Sequence, residues 1–311
     1  MLQILKQNGR VIERCDTFEE GCWINLVAPT PEELQEVQAR LPVLPEFLHY
    51  PLDEEETSRI EKEDDQVLII IKIPDARHEG DVVRYETIPL GIVLIDGVII
   101  TVCLKETPLI EEMLSGRAVL AGLLCDPTRF IFHIFLRAAA LYLKHLRLID
   151  RLTNEYEEEL HRSLRNQELI KLLNLEKSLV YFNTSLRAND LVMARLQSGR
   201  YIAISEESED ILEDALIENQ QAIEMAKIYS DILSGMMDAY ASVISNNLNI
   251  VMKFLTSVTI ILSLPTLVAS VYGMNIQLPL QHHPHAFAII MGFSLLLSIL
   301  VVLIFIRKKM L

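Results

Sequence analysis

Two patterns of apolar and polar positions divide the chain. Up to about residue 107, short apolar runs alternate with turn residues, as in an α/β domain. Cys22–Val27 (CWINLV) reads as a strand. Thr30-Pro31-Glu32-Glu33 follows: an N-cap, a proline at the first helical position and acids in the first turn, so a helix begins there. A second short helix starts near Pro45. Residues 58–63 are a candidate strand, and residues 66–73 (QVLIIIKI) a strong buried one. Residues 74–81 read as a polar loop containing His78, Glu79 and Gly80. Residues 82–95 and 97–104 form a strand pair, with Asp96-Gly97 as its hairpin signal.

From about Pro108 the pattern becomes helical and stays so. Residues 128–164 and 167–196 read as long helices rich in Leu, Arg and Glu, and Ser198-Gly199 breaks them. Ser205 then caps a new helix with Glu206, Glu207 and Glu209 in its first turns. No proline follows until Pro265, and the one glycine on the way is Gly235. The helix is therefore expected to run some sixty residues, about 90 Å by helix rise. An apolar row spaced by seven (Ala215, Ala222, Tyr229, Met236, Val243, Ile250) predicts a seam packed against other helices. Those helices belong either to its own chain or, as the preferred reading, to further copies.

Two segments, 254–271 and 286–306, are apolar or hydroxylated and carry no charge. Roughly 20 such residues span a bilayer core of about 30 Å. Lys253 precedes the first, and Arg307, Lys308 and Lys309 follow the second, so both ends are expected in the cytoplasm. The connection at 273–285 then lies outside. The chain reads as a cytoplasmic body with a C-terminal helical hairpin through the cell membrane, both termini inside.

Charge sharpens this division. The formal net is −15; residues 250–311 hold four Lys/Arg and no Asp/Glu, which leaves −19 on residues 1–249. Such a body repels nucleic acid and attracts cations. Met1–Arg10 lacks the basic start and long apolar run of a secretory signal. Cys15, Cys22, Cys103 and Cys125 show no metal-type spacing and read as free thiols in a reducing compartment.

At steps of three and four, Asp238, Ala241, Ser245, Asn249, Met252, Thr256, Thr259, Ser263, Thr266 and Ser270 share one face of the long helix. The last five, Thr256, Thr259, Ser263, Thr266 and Ser270, are hydroxyls inside an apolar segment. Such hydroxyls either bond their own backbone and pack helices, or line a water-filled path. The continuation of the stripe through Asn249, Ser245 and Asp238 favours the path. Met252, with Leu255 beside it, would be its apolar constriction, able to gate by dewetting. Pro265 removes one helical hydrogen bond on the way. No acid lies within the apolar segments, and Mg²⁺ sheds its water reluctantly. A hydroxyl and amide lining therefore suits a divalent cation that keeps its hydration shell.

Tyr272-Gly273-Met274-Asn275, set between two C-terminal apolar helices, resembles the signature of the CorA family of magnesium transporters. The similarity extends to Asn249-x-x-Met252-Lys253-Phe254-Leu255-Thr256, the Leu264-Pro265-Thr266 step and the basic Arg307-Lys308-Lys309 end. The resemblance covers the whole chain and is strongest from about Ala215 onward. It implies an α/β cytoplasmic domain (1–107), long cytoplasmic helices (108–204), a stalk (205–252), a pore-lining first membrane helix (253–272), an external loop (273–285) and a second membrane helix with a basic tail (286–311). It implies a homopentameric funnel in membrane lipid, with Gly273, Met274 and Asn275 as selectivity filter. Pore positions fall on Asn249, Met252, Leu255, Thr266 and Asp238. Inhibitory Mg²⁺ is expected between cytoplasmic domains of neighbouring subunits, at Asp214, with Glu218, Glu79 and Asp81 as possible partners. Many members continue the signature with an acidic loop, whereas residues 276–285 here hold no acid and three histidines, His282, His283 and His285. These histidines read as solvated loop residues, or as donors for Zn²⁺, Ni²⁺ or Co²⁺.

The leading expectation is a channel for Mg²⁺, with Co²⁺ and Ni²⁺ as further cargo, driven by the membrane potential and closed by internal Mg²⁺. The alternatives are a zinc transporter of the same fold and a membrane-anchored sensor or scaffold without transport. Met274 favours Mg²⁺, because zinc-transporting relatives usually carry Val there. No Gly-rich phosphate loop, His-x-x-x-His pair or nucleophile–base pair points to an enzyme.

Overall fold

The computed structural model describes residues 1–8, 11–79, 82–114, 124, 126–163, 166–276, 278–279 and 283–308. Contacts divide the chain into two compact units, Met1–Ser234 and Gly235–Leu311. The first is built on a mixed seven-stranded sheet in the order β2-β1-β3-β7-β6-β5-β4. Its strands are β1 (Leu2–Asn8), β2 (Val11–Arg14), β3 (Cys22–Val27), β4 (Arg59–Glu63), β5 (Gln66–Glu79), β6 (Val82–Ile95) and β7 (Val98–Cys103). The helices are α1 (Pro31–Arg40), α2 (Pro45–His49), α3 (Pro108–Leu114), α4 (Pro127–Ser163), α5 (Asn166–Leu196), α6 (Glu206–Tyr272) and α7 (Ala286–Arg307). β3 pairs with β7 in parallel, and the other ladders are antiparallel.

Side chains alternate across a strand, so the unbroken apolar run of β5 must be covered on both faces. Leu68 and Ile70 join the core under α1 and α2, with Val37, Phe47 and Leu48. Ile69, Ile71 and Ile73 join the opposite core, with Leu109 of α3, Phe130 and Phe135 of α4, and Leu212 and Ala215 of α6. Thr30 caps α1 as expected: its hydroxyl accepts from Glu33 N–H, and the Glu33 carboxylate accepts from Thr30 N–H. Asp96 (φ 48°) and Gly97 (φ 74°) both take the positive φ that a tight hairpin between twisted strands requires. A Cβ at Gly91 would collide with the Pro51 ring.

One expectation fails. Residues 74–79 continue β5 rather than forming a loop, in register from Val67↔Leu94 to Glu79↔Val82. The polar side chains of this run suggested a loop, and proline cannot donate to a ladder. β4 covers β5 only as far as Ile70, however, and Lys72 and Pro74 turn their backbone groups toward the uncovered edge. Pro74 therefore breaks no inter-strand bond. The polar residues beyond it pair across strands and with nearby loops: Arg77 with Glu86 at 3.1 Å, and Lys105 with Asp75 at 3.0 Å. Residues 80–81 lie outside the described part. The β1–β2 pairing was not anticipated.

At the uncovered edge, Asn189 of α5 stands in for the missing strand. Its amide oxygen accepts from Lys72 N–H (3.0 Å) and its amide nitrogen donates to Lys72 C=O (2.8 Å). Tyr142 of α4 donates to the same carbonyl at 3.0 Å. The long helices thus hold the outer half of the β5–β6 hairpin directly, as part of one unit with the sheet.

A polar face on α6 and its terminal motif

α6 begins with a reciprocal cap. Ser208 N–H donates to Ser205 Oγ (3.3 Å), and Ser205 N–H donates to Ser208 Oγ (2.8 Å). Ser208, Leu212, Ala215, Asn219, Ala222, Ala226 and Leu233 are buried in the first unit, in steps of three, four and seven. Asn219 donates to Leu186 C=O (3.1 Å) and to the Asp190 carboxylate (3.3 Å) on α5. The first two members of the seven-residue row, Ala215 and Ala222, are therefore packed within their own chain. The later members Val243 and Ile250 are exposed. Every residue from Ala241 to Thr256 is exposed, including Leu248, Val251 and Phe254.

In the second unit, α6 and α7 are each long and apolar enough to cross a membrane. The less exposed residues of this part of α6 are Ser257, Val258, Ile261, Leu264 and Val268; those of α7 include Ile290, Ser294, Leu297 and Val301. Leu267, Val268 and Val271 share a cavity wall with Ile289, Ile290 and Phe293, which sets the two helices side by side there. The stripe lies elsewhere. At about 100° per residue, the row Asn249, Met252, Leu255, Thr256, Thr259, Ser263, Thr266, Ser270 points about 160° away from the covered row. All eight are exposed, Met252 at 52 % and Leu255 at 56 %. Thr259, Ser263, Thr266 and Ser270 line one shallow groove on α6. Asp238, lower on the helix, is exposed too.

The hydroxyls do bond their own backbone. Thr259 donates to Leu255 C=O (2.9 Å), Ser263 to Ile260 C=O (2.9 Å) and Thr266 to Leu262 C=O (3.2 Å). This arrangement has a chemical consequence. With its proton committed to the helix, each oxygen offers only lone pairs outward. A hydrated cation presents only O–H donors from its water shell. A row of fixed acceptors matches that shell and offers nothing to an anion.

The helix closes at the motif. Gly273 N–H donates to Ala269 C=O (2.9 Å), and Met274 N–H to Val271 C=O (3.3 Å). Gly273, Met274 and Asn275 are all exposed. Gly273 and Met274 line a cavity with Ala286, Phe287 and Ile290 at the start of α7. The motif thus sits at the turn-off from α6, at the end of the polar row.

The acids Asp214 and Glu218 belong to the first unit. Asp214 is exposed and Glu218 half-buried, one turn apart on α6. Burial pushes the Glu218 carboxyl above its ordinary value and Asp214 adds to this, while Arg137 and Arg147 of α4 oppose it. Those two arginines were not singled out from sequence, although cations recur at 129, 137, 144, 147 and 151 along α4. Glu79 ends β5, but its side chain, like Asp81, lies outside the described residues. Among the described residues, no three His, Cys, Asp or Glu side chains gather closely enough to hold a metal within one chain. Cys15, Cys22 and Cys103 are free, and Cys125 is outside the described residues.

The family model of the CorA-like Mg²⁺ transporter protein matches residues 18–308. The cobalt/magnesium transport protein CorA of Methanocaldococcus jannaschii is 30% identical over 98% of this chain and 97% of its own length. The solved structure of the complete CorA magnesium transporter from that organism superposes with a TM-score of 0.83 at 27% identity, covering 99% of this chain and 98% of that one. The cobalt/magnesium transport protein CorA of Thermotoga maritima is 25% identical over 54% of this chain and 48% of its own.

Proposed function

The chain belongs to the family of CorA-like Mg²⁺ transporter proteins, and from that premise we propose a homopentameric channel that passes hydrated Mg²⁺, with Co²⁺ and Ni²⁺ as further cargo. The family is one of membrane transporters, not enzymes. In the proposed assembly, five copies of α6 turn their polar rows inward, α7 lies outside them, and both termini are cytoplasmic. The observation that carries this reading is the exposed polar row from Asn249 to Ser270, in which Thr259, Ser263 and Thr266 turn acceptors outward and which leads to Gly273-Met274-Asn275. The exposed turn-on-turn stretch Ala241–Thr256 supports an oligomer, because its apolar side chains find no cover among the described residues.

Each Asn275 offers an amide oxygen to the water shell at the mouth. Met252 and Leu255 form the dry constriction further along. Closure follows from charge: several bodies of −19 each repel one another, and Mg²⁺ bridging acids between neighbours offsets this. Asp214 is the proposed first donor, with Glu218, Glu79 and Asp81 as candidates for the second. The ligand shifts the equilibrium because the bridges exist only in the closed arrangement. Asn275→Ala, assayed as Mg²⁺ uptake into proteoliposomes, is expected to abolish uptake while leaving the oligomer intact. Normal uptake by that variant would remove the filter from its proposed place.

A further inference from the structure

The acid-free loop before α7 holds a chemistry that a Mg²⁺ pathway does not use. His283-Pro284-His285 leads directly into Ala286, which lines the same cavity as Gly273 and Met274. The two imidazoles stand 6.1 Å apart, centre to centre, tilted by 55°. Two imidazoles sharing one tetrahedral ion have ring centres roughly 5 Å apart, given metal–nitrogen bonds of about 2.0–2.1 Å, so the pair closes by about 1 Å on binding. We propose that His283 and His285 together form a binding site for a borderline transition-metal ion, Ni²⁺ or Zn²⁺, beside the terminal motif, distinct from the Mg²⁺ pathway.

The backbone holds the pair in place. Ala286 N–H donates to His283 C=O (3.0 Å), Ile289 N–H donates to His285 C=O (3.1 Å), and Pro284 fixes φ between them. Two opposing effects are modest. His283 Nδ1 accepts a long bond from His285 N–H (3.2 Å), which that ring gives up or exchanges by changing tautomer. The positive end of α7 disfavours a cation by about two- to five-fold in affinity. Against them stand two metal–nitrogen bonds. Waters complete the coordination sphere. Imidazole selects Zn²⁺ and Ni²⁺, whereas Mg²⁺ takes oxygen ligands and keeps its waters. The site therefore discriminates between ions on a basis that a water-shell filter lacks.

The test is isothermal titration of the purified full-length chain in detergent with NiCl₂ and with ZnCl₂, in a background of millimolar MgCl₂. The expected result is a site whose affinity falls at least ten-fold in the double variant His283→Ala/His285→Ala and is insensitive to Mg²⁺. Protection of His283 and His285 from diethylpyrocarbonate by ZnCl₂, mapped by mass spectrometry, identifies the donors. Superimposable isotherms for wild type and double variant, or modification of both histidines unaffected by ZnCl₂, overturn the proposal. Neither readout depends on transport, so the result stands apart from the flux measurements.

Discussion

Asn189→Ala probes how the long helices hold the β5–β6 hairpin, the arm that ends at Glu79. The side chain is 2 % exposed and makes three hydrogen bonds, to Lys72 N–H, Lys72 C=O and the Ser58 hydroxyl. Each contributes about 1 kcal/mol net. The partners are not orphaned, because Lys72 N–H retains Ser58 Oγ at 3.2 Å and Lys72 C=O retains Tyr142 at 3.0 Å. The expected loss is therefore about 2–3 kcal/mol. At about 2–4 °C per kcal/mol for a unit of this size, the thermal midpoint in detergent should fall by roughly 5–10 °C. Tyr142→Phe alone should cost about 1 kcal/mol. The double variant leaves Lys72 C=O with neither side-chain partner, so its loss should exceed the sum by about 1–2 kcal/mol. Differential scanning fluorimetry of the four proteins completes the cycle. A shift below 1 °C for Asn189→Ala, or strict additivity, would refute the clamp.

Thr266→Val keeps the shape of the side chain but removes an outward acceptor in every copy, so Mg²⁺ flux should fall by about ten-fold or more while Thr266→Ser stays near wild type; stopped-flow uptake distinguishes them. Met252→Gly or Leu255→Gly should wet the constriction and raise leak at resting Mg²⁺, read as elevated basal flux. Asp214→Lys should weaken the Mg²⁺ dependence of closure, and protease protection curves identical to wild type would exclude Asp214 from the sensor. Because the Glu218 carboxyl titrates above its ordinary value, its contribution to stability is complete below the unfolded value near 4.5 and is lost as pH rises through the higher folded one. Glu218→Gln should accordingly raise the midpoint at pH 7 relative to wild type, but not at pH 4.

Strong local signals made most elements legible. The Thr30 cap, the Asp96-Gly97 turn and the QVLIIIKI run each admit one local structure, and all appear as expected. Residues 74–79 misled because the reading of Pro74 depends on which edge of β5 another strand covers, a fact about β4 and not about β5. β1 and β2 went unread despite Asn8-Gly9, since their apolar runs are short and β2 pairs with β1, which in turn pairs with β3. Along α6, the spacing of polar residues announced the exposed face. It could not announce that Ala215 and Ala222 pack on their own chain, because a period of seven records burial without naming the neighbour. The opposition of Arg137 and Arg147 to Glu218 likewise depends on how α4 lies against α6.

The central claim is that the acceptor row on α6 conducts a cation with its water shell intact. The most direct test is Mg²⁺ entry into proteoliposomes of the purified chain under an imposed inside-negative potential, with and without an inert hexa-coordinate cation of hydrated-Mg²⁺ size. The account predicts potential-driven entry that the inert cation blocks. Absence of Mg²⁺ entry would contradict the channel, and entry indifferent to the inert cation would contradict passage of the hydrated ion.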